Sequence, residues 1–312
     1  MPVIAVVGSL NMDLVVRAPR QPLLGETLMG HSFGTTGGGK GSNQALACAR
    51  LGAVSYMIGC VGDDDFGRRL HSTLTEAKVH CDCLEVSKGA GTGVAVVTVT
   101  DKGDNTIVVV GGANSLLDGD SIQRAAETFK KADAVLFQLE VPLSAVATGL
   151  KLARASGCRT VLTPAPAQEL PSSIWPCVDY LVLNETELAF YASVKDGKSG
   201  VTTTEQATAA AERLLKLGAK GVIVTHGAKG GLVVTKQKSF AYSPFEVAAV
   251  DSTGAGDSFC AALIVSLSEG NSLEQSVRFA SAAGALACTR FGAHPSLPWR
   301  HEVEALLERS GT

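Results

Sequence analysis

Short apolar runs alternate with longer amphipathic stretches along most of the chain. The apolar runs are rich in β-branched residues and bounded by glycine, and most precede about ten to fifteen residues with helical periodicity. They lie at residues 3–7, 54–60, 134–138, 160–163, 180–183 and 222–225. Because a strand followed by a crossover helix returns the chain to a parallel neighbour, this alternation predicts an α/β fold with a mostly parallel sheet.

Two regions, approximately 13–36 and 91–110, break this rhythm. In the second, the β-branched runs 94–100 and 106–110 flank the turn-forming residues 101–105, which predicts an antiparallel hairpin added to the α/β body. The chain contains no internal repeat and no low-complexity linker, so we expect residues 1–312 to form a single domain.

Composition narrows the class of protein. A net charge of −3, no basic tract and only two Trp and four Tyr argue against a nucleic acid partner. The apolar N-terminal run is too short for a membrane span and lacks the basic start of a secretion signal, so we expect a cytosolic protein.

Eight cysteines without a Cys-x-x-Cys pair are typical of reduced core thiols. The His-Cys-Asp-Cys stretch at 80–83 leaves open a metal site or a strand edge.

A glycine-rich stretch near the C-terminus opens an apolar helix. It reads Thr253-Gly254-Ala255-Gly256-Asp257, and the helix is expected to end near Gly270. Small residues leave unpaired amides at the positive end of the helix, where phosphate oxygens bind favourably. An aspartate beside such a cradle can take the proton from an attacking hydroxyl. The alternative is that Asp257 only caps the helix.

Residues 34–41 nearly match a Walker A phosphate loop. Gly41 stands where that loop needs a Ser or Thr for magnesium, and the segment before it is not a convincing strand, so a P-loop NTPase is disfavoured. No complete Gly-x-Gly-x-x-Gly occurs, which argues against a dinucleotide dehydrogenase.

Polar residues follow several of the predicted strands. Asn11 and Asp13 follow the first one, and Glu140, Asn184 and Glu187 follow later ones. Sites of open α/β sheets lie beyond the carboxyl ends of the strands, so these side chains are expected to share one site. They could bind sugar hydroxyls or magnesium, or they could be ordinary turn formers and exposed helix starts.

Five motifs occur in the order typical of one family. They are residues 8–13, Gly37-Gly-Gly-Lys40-Gly-Ser-Asn43-Gln, 164–167, Asn184-Glu-Thr-Glu187 and Asp251-Ser-Thr-Gly-Ala-Gly-Asp257. From the first strand to about Trp299 the chain resembles the PfkB family of carbohydrate and nucleoside kinases. The resemblance implies a ribokinase-like three-layer αβα sandwich. It also implies a small β-sheet lid built from the two irregular segments, and a homodimer in which the lids of two subunits clasp.

The resemblance also implies the roles of individual residues. Asp257 would be the catalytic base, with Gly254, Ala255 and Gly256 in the anion hole. Sugar would bind to Asn11, Asp13, Gly39, Lys40, Asn43 and Glu140. ATP would bind to Asn184, Thr225, Gly227, Gly230, Gly256 and Ser281, with Mg²⁺ near Glu187. An activating K⁺ would be bound by Asp251, Thr253, Ala287, Arg290, Gly292 and Ser296, several of them through main-chain oxygens.

The activity implied by the resemblance is transfer of phosphate from ATP to a sugar hydroxyl. D-Ribose phosphorylated at O5 is the leading substrate, and deoxyribose, fructose or a nucleoside are the alternatives within the family. A sensor that binds sugar without catalysis is the alternative from another class. Two positions depart from the pattern of many relatives. Thr163 stands where many of them have Asn, and Ser281, expected near the adenine, stands where they often have Asn or His.

Overall fold

The computed structural model describes residues 1–192 and 203–311. The strands are β1 (Val3–Val7), β2 (Asn11–Ala18), β3 (Ser32–Gly38), β4 (Val54–Gly62), β5 (His80–Ser87), β6 (Gly93–Thr100), β7 (Asn105–Val110), β8 (Ala134–Phe137), β9 (Arg159–Leu162), β10 (Tyr180–Asn184), β11 (Gly221–Thr225), β12 (Gly231–Thr235) and β13 (Ser239–Tyr242). The α-helices are α1 (Lys40–Arg50), α2 (Asp65–Glu76), α3 (Gly119–Arg124), α4 (Ala126–Lys131), α5 (Leu143–Ala155), α6 (Glu185–Ala192), α7 (Thr204–Leu217), α8 (Ala255–Ser268), α9 (Leu273–Ala287), α10 (Ala293–Ser296) and α11 (Arg300–Arg309). Single 3-10 turns occur at Gly112–Leu116, Trp175–Cys177 and Gly227–Lys229.

A large central sheet carries the strand order β13-β12-β11-β10-β9-β8-β1-β4-β5. All neighbours from β11 to β5 pair in parallel, whereas β12 is antiparallel to both of its neighbours, β11 and β13. Each of the six apolar runs in the sequence forms one of these strands. The predicted α/β class with a mostly parallel sheet is therefore confirmed.

Helices cover both faces of this sheet. Alternate side chains of β1 point to opposite sides, so that Ile4 and Val6 join one buried cluster and Ala5 and Val7 join the other. The first cluster includes side chains of α1, α8 and α9, and the second includes side chains of α5 and α7. Since neither face of the sheet is left to solvent, the predicted three-layer αβα sandwich is confirmed.

A second, smaller sheet has the order β3-β2-β6-β7. Strands β6 and β7 form the antiparallel hairpin expected from the sequence, and β2 pairs in parallel with β6. The segment before residues 34–41 was not expected to be a convincing strand, and β3 begins only at Ser32, so it covers most of those residues and pairs along β2 from Asn11↔Gly38 to Arg17↔Ser32. Glycine-rich strands have weak intrinsic β-propensity, and here the partner strand supplies the order.

Residues 80–83 begin the edge strand β5 of the central sheet. The His80 ring stacks on Tyr56 with ring centroids 4.5 Å apart. In residues 1–192 and 203–311, no group of three or more His, Cys, Asp or Glu side chains is arranged to hold a metal ion. Of these two alternatives, the structure supports the strand edge. No helix within the same residues is long and apolar enough to cross a membrane.

Candidate active site

Asp257 lies in the first turn of α8 but does not cap it. The N-cap is Gly254, with φ of +80°, and no side chain caps this helix end. The Asp257 carboxylate instead accepts hydrogen bonds from Asn43 Nδ2 at 2.8 Å and from Gln44 Nε2 at 3.0 Å. The capping alternative is therefore wrong, because α1 positions this carboxylate.

Two buried glutamines complete the support of Asp257. Gln138 Nε2 donates to Gln44 Oε1 at 2.6 Å, which obliges Gln44 to direct its own amide nitrogen at Asp257. Both glutamines are fully buried. Sequence reasoning missed them as functional residues, although Gln44 directly follows Asn43 and Gln138 ends an apolar run.

The amides at the start of α8 differ in their availability. Ala255 N donates to Ser252 O at 3.2 Å, within a turn. The amides of Gly256 and Asp257 have no such partner among the described residues. They are the donors that this helix start can offer to an anion.

Opposing charges meet around Asp257. Its burial raises the pKa of the carboxyl group, against the lowering effects of Lys40 and of the amides of Asn43 and Gln44. Burial alone would lower the pKa of Lys40, but the charges of Asp257, Glu140 and Glu187 outweigh it and raise that pKa. Lys40 therefore stays cationic within electrostatic reach of three carboxylates.

Asp13 lies beside these charges. Burial, followed by the charges of Glu140 and Asp257, raises the pKa of Asp13 to about 7. Its carboxylate packs so closely on Gly38 that a side chain there would clash with it. Among the described residues it has no hydrogen-bond partner, so both oxygens can bind a ligand.

Asn11 is fixed by a residue that sequence reasoning missed. Asn114 Nδ2 donates to Asn11 Oδ1 at 2.8 Å and to Leu10 O at 3.0 Å, and Asn114 Oδ1 accepts from Leu10 N at 2.9 Å. Asn114 lies in the 3-10 turn after β7, more than a hundred residues after Asn11 in the sequence. No sequence motif marks it.

The glycine run before α1 permits a close approach of two loops. Gly39 has φ of +90°, a conformation that other residues rarely adopt. A Cβ on Gly41 would lie 2.5 Å from the carbonyl carbon of Gly8 and 2.6 Å from Ser9 N. Gly41, the residue that breaks the Walker A pattern, is therefore required for packing against the loop after β1.

Glu140 links these two loops. Its Oε2 accepts from Ser9 Oγ at 2.5 Å and from Lys40 N at 3.3 Å. Its Oε1 lies 4.0 Å from Lys40 Nζ. Glu140 thus follows β8 in the sequence and contacts the start of α1 in space.

The predicted nucleotide residues lie at the neighbouring strand ends. Asn184 of β10 is in register with Thr225 of β11. Asn184 and Glu187 exchange reciprocal backbone-to-side-chain hydrogen bonds of 2.9 Å, and burial raises the pKa of Glu187. Gly227 and Gly230 bound the turn between β11 and β12.

Ser281 lies on the helix that packs against the start of α8. Its hydroxyl donates to Ser243 O at 3.5 Å. One turn later, Gly284 packs against Ala255, where a Cβ would lie 3.2 Å from the Ala255 carbonyl oxygen. Ser281 is thereby held on the same side of the molecule as the free amides.

The residues expected to bind K⁺ gather behind the same helix start. Asp251 Oδ1 accepts from Thr253 N at 3.0 Å and Thr253 Oγ1 at 2.7 Å, and Oδ2 accepts from Gly292 N at 2.9 Å. Burial would raise the pKa of Asp251, but these hydrogen bonds hold it below its usual value. Ser296 Oγ donates to Thr253 O at 3.2 Å.

The side chains of Ala287 and Arg290, also expected to bind K⁺, do not reach this cluster, so these two residues could bind the ion only through main-chain oxygens. Ala287 is a buried residue at the end of α9, and the next carbonyl, that of Cys288, accepts from Asp251 N at 3.1 Å. The Arg290 guanidinium pairs with Glu302 of α11 and does not bind at the cluster.

His294 also contacts the glycine-rich loop, and no motif in the sequence marks it as a site residue. The ring is 5% exposed, and Nε2 lies 3.0 Å from Ser42 Oγ. Burial, followed by the charge of Arg50, lowers the pKa of His294 to about 4, so the ring is neutral near pH 7. Arg50 donates to the carbonyl oxygens of His294 and Leu297, both at 2.7 Å.

A cavity of about 1010 Å³ lies at the opposite, amino-terminal edge of the sheet. Its lining includes Arg154, Asp179 and Lys220, and both cations pair with Asp179, at 3.6 Å and 2.5 Å. None of the predicted site residues lines it. The predicted site residues lie instead at the edge where the carboxyl ends of β1, β8, β10 and β11 meet α1 and α8.

Known proteins resemble this chain over nearly its full length. The profile of the family described as "pfkB family carbohydrate kinase" matches residues 1–300. The chain belongs to the PfkB family. The ribokinase of Bacillus subtilis is 38% identical over 304 residues, covering 97% of this chain and 99% of that protein. The ribokinase of Arabidopsis thaliana, solved with ribose and ATP, has a TM-score of 0.89 and 35% identity, covering 98% of each chain. The deoxyribokinase of Salmonella typhimurium is 34% identical over 296 residues, covering 95% of each chain.

In this PfkB-family chain, the structure brings most of the expected residues to one edge of the sheet. Glu140 contacts Lys40 directly, Lys40 lies within electrostatic reach of Asp257, and Asn184 is in register with Thr225. The side chain of Arg290 is the exception.

Proposed function

We propose that the chain transfers the γ-phosphoryl group of ATP to O5 of D-ribose, giving ribose 5-phosphate and ADP. The observation that carries this proposal is the buried Asp257 carboxylate, held by Asn43 and Gln44 directly beside the free amides of α8. A base and an anion cradle adjacent to each other are what in-line phosphoryl transfer to a hydroxyl requires.

In the proposed reaction, the Asp257 carboxylate takes the proton of the ribose hydroxyl as its oxygen attacks the γ-phosphorus. The bond from the γ-phosphorus to the bridging oxygen breaks, and ADP leaves with that electron pair. The amides of Gly256 and Asp257 stabilise the charge on the transferring group, with Gly254 and Ala255 shaping the turn. Lys40 remains cationic and adds to the positive potential.

The sugar is proposed to lie between α1 and the second sheet. Asp13 offers two free carboxylate oxygens, and Asn43 Oδ1 is a buried acceptor without a partner in the described residues. Buried acceptors of this kind are expected to pair with ligand hydroxyls. Asn11, Gly39, Lys40 and Glu140 complete the proposed contacts.

The triphosphate is proposed to extend from the start of α8 towards Asn184 and Thr225, with Ser281 near the adenine. Glu187 offers one carboxylate oxygen besides the one bonded to Asn184 N, which fits Mg²⁺ bound mainly by phosphates and water. Bound Mg²⁺ would neutralise phosphate charge.

K⁺ is proposed to bind behind the anion cradle. The oxygen-rich cluster of Asp251, Thr253 and Ser296 fits a hard monovalent cation, and the depressed pKa of Asp251 keeps a negative charge there. The main-chain oxygens of Ala287, Arg290 and Gly292 would complete the ligand set. A cation here would rigidify the turn that precedes the free amides.

We also propose a homodimer in which the second sheets of two subunits pack as lids. This is supported by β7, where Ile107, Val108, Val109 and Val110 are 53%, 65%, 47% and 55% exposed. An apolar strand of this kind is typical of an interaction surface. Light scattering should give twice the chain mass, and Val108→Lys should give the single mass.

A cytosolic location is proposed as well. It is supported by the eight cysteines, all within the described residues, none of which forms a disulfide. Cell fractionation with a secreted control protein tests this location.

Deoxyribose is the second candidate substrate, because a deoxyribokinase is nearly as similar to the chain as the ribokinases are. ADP release should be measured with ribose, 2-deoxyribose, fructose and adenosine, with and without Mg²⁺ and K⁺. The highest kcat/KM with ribose supports the proposal. A higher value with another acceptor assigns the activity to that acceptor, and ribose binding without turnover supports a sensor.

A further inference from the structure

A buried histidine joins two loops of the site that are far apart in sequence. His294 Nε2 lies 3.0 Å from Ser42 Oγ. The Ser42 hydroxyl donates its own proton to Gly38 O, at 2.5 Å, so Oγ must accept from the histidine. The hydrogen-bond pattern thereby assigns the proton of the ring to Nε2.

The other ring nitrogen, Nδ1, is buried and has no hydrogen-bond partner in the part of the chain that the structure describes. It packs so closely on Gly37 that a Cβ there would clash with it. A buried, unpaired nitrogen costs free energy that an apolar side chain of similar volume would not. Stability of the fold alone therefore does not explain a histidine here.

Ser42 links the histidine to the sugar loop, residues 37–40, which is proposed to contact the sugar. Ser42 Oγ is also 3.2 Å from Gly39 O, so one hydroxyl holds two successive carbonyl groups. Gly38 in turn packs against the Asp13 carboxylate. A shift of Ser42 would move the backbone on which Asp13 rests.

The segment that carries His294 also contacts the turn that precedes the anion cradle. Gly292 N donates to Asp251 Oδ2, and Ser296 Oγ donates to Thr253 O. In the same segment, the Phe291 ring lies 4.5 Å from the Arg17 guanidinium of β2. Residues 291–296 therefore contact the turn before the anion cradle, the sugar loop and the second sheet.

We propose that His294 is a positioning residue for the sugar. Through Ser42 it sets the Gly38–Gly39 backbone relative to α8, so that the acceptor hydroxyl reaches Asp257. The inference rests on the proposed function only in that the chain phosphorylates a sugar, and not on which sugar that is.

The test compares His294→Leu, His294→Gln and Ser42→Ala with the parent enzyme, using the sugar that the parent phosphorylates fastest. Loss of one buried hydrogen bond should raise KM for the sugar about three- to tenfold in the Leu and Ala variants, and KM for ATP less than about twofold. His294→Gln keeps a donor for Ser42 and should restore KM. Because both residues act through the same hydrogen bond, the double variant His294→Leu/Ser42→Ala should have a KM for the sugar no higher than that of the more affected single variant.

Calorimetric binding of the sugar without ATP should change in parallel with KM. Sugar affinity and KM within about twofold of the parent in the Leu variant, whatever its Tm, would overturn the proposal. If that variant does not fold, an unchanged KM in Ser42→Ala overturns it equally. A parent enzyme that prefers a sugar other than ribose contradicts the proposed substrate but leaves this test intact.

Discussion

The substitution Asp257→Asn removes the proposed base while preserving the packing around it. Gln44 cannot rotate, because Gln138 donates to its oxygen, so it continues to donate to the remaining carbonyl oxygen at position 257. Asn43 can rotate its amide by half a turn, since its Oδ1 has no partner among the described residues. That oxygen then accepts from the new amide nitrogen, and both hydrogen bonds persist.

The expected result follows from this geometry. Loss of a general base lowers kcat about 10²- to 10⁴-fold, or roughly 2.7–5.4 kcal/mol at 1.36 kcal/mol per tenfold. The rotation turns the Asn43 acceptor into a donor, so KM for the sugar should rise by at most about tenfold. Because burial raises the pKa of Asp257, its charged form is disfavoured in the fold, and Tm should stay equal or rise.

Steady-state kinetics and calorimetric unfolding check these expectations, with Asp179→Asn as the matched control. Asp179 and Asp257 are both 8% exposed, but Asp179 lies at the opposite edge of the sheet and accepts from Thr160 N at 2.9 Å. The control variant should keep the parent kcat and should have a lower Tm. A kcat within tenfold of the parent in Asp257→Asn, or an equal loss in both variants, would refute the assignment of the base.

Three further predictions concern the surroundings of the base. Gly41→Ala should lower the free energy of unfolding by about 1–3 kcal/mol, measured in urea, because its Cβ meets the Gly8 backbone at 2.5 Å; Gly34→Ala, with nothing within 4 Å, should not. In the folded protein Asp13 keeps a proton up to its raised pKa of about 7, whereas in the unfolded chain it loses the proton near the ordinary pKa of 3.8. The stabilisation is therefore complete below pH 3.8 and is lost as the pH rises to 7. Asp13→Asn should therefore gain stability relative to the parent over that range, by roughly 4 kcal/mol at 1.36 kcal/mol per pKa unit, and a constant difference between pH 4 and 8 would contradict the buried carboxyl. Asn114→Ala removes three hydrogen bonds and should raise KM for the sugar about five- to tenfold, whereas an unchanged KM would mean that Asn11 does not depend on it.

Local patterns predicted the scaffold of this protein well. Each apolar run became a strand of the central sheet, because a strand buried on both faces needs a continuous apolar segment and the next helix needs an amphipathic one. Local patterns did not mark the strand β3, which was expected only as part of the lid segment implied by the family resemblance, since its glycines and threonines form a strand only through pairing with β2.

Sequence patterns revealed which residue types are neighbours along the chain. They showed Asp257 after a glycine-rich helix start and polar residues at strand ends, and they could not distinguish a base from a cap. The tertiary structure decided that question by bringing Asn43 and Gln44 more than two hundred residues along the chain to the carboxylate. The tertiary structure also revealed Asn114, Gln138 and His294 as residues of the site, because their hydrogen-bond partners lie on elements distant in sequence. Hydrogen bonds between such elements depend on the folded geometry, and no local spacing in the chain encodes them.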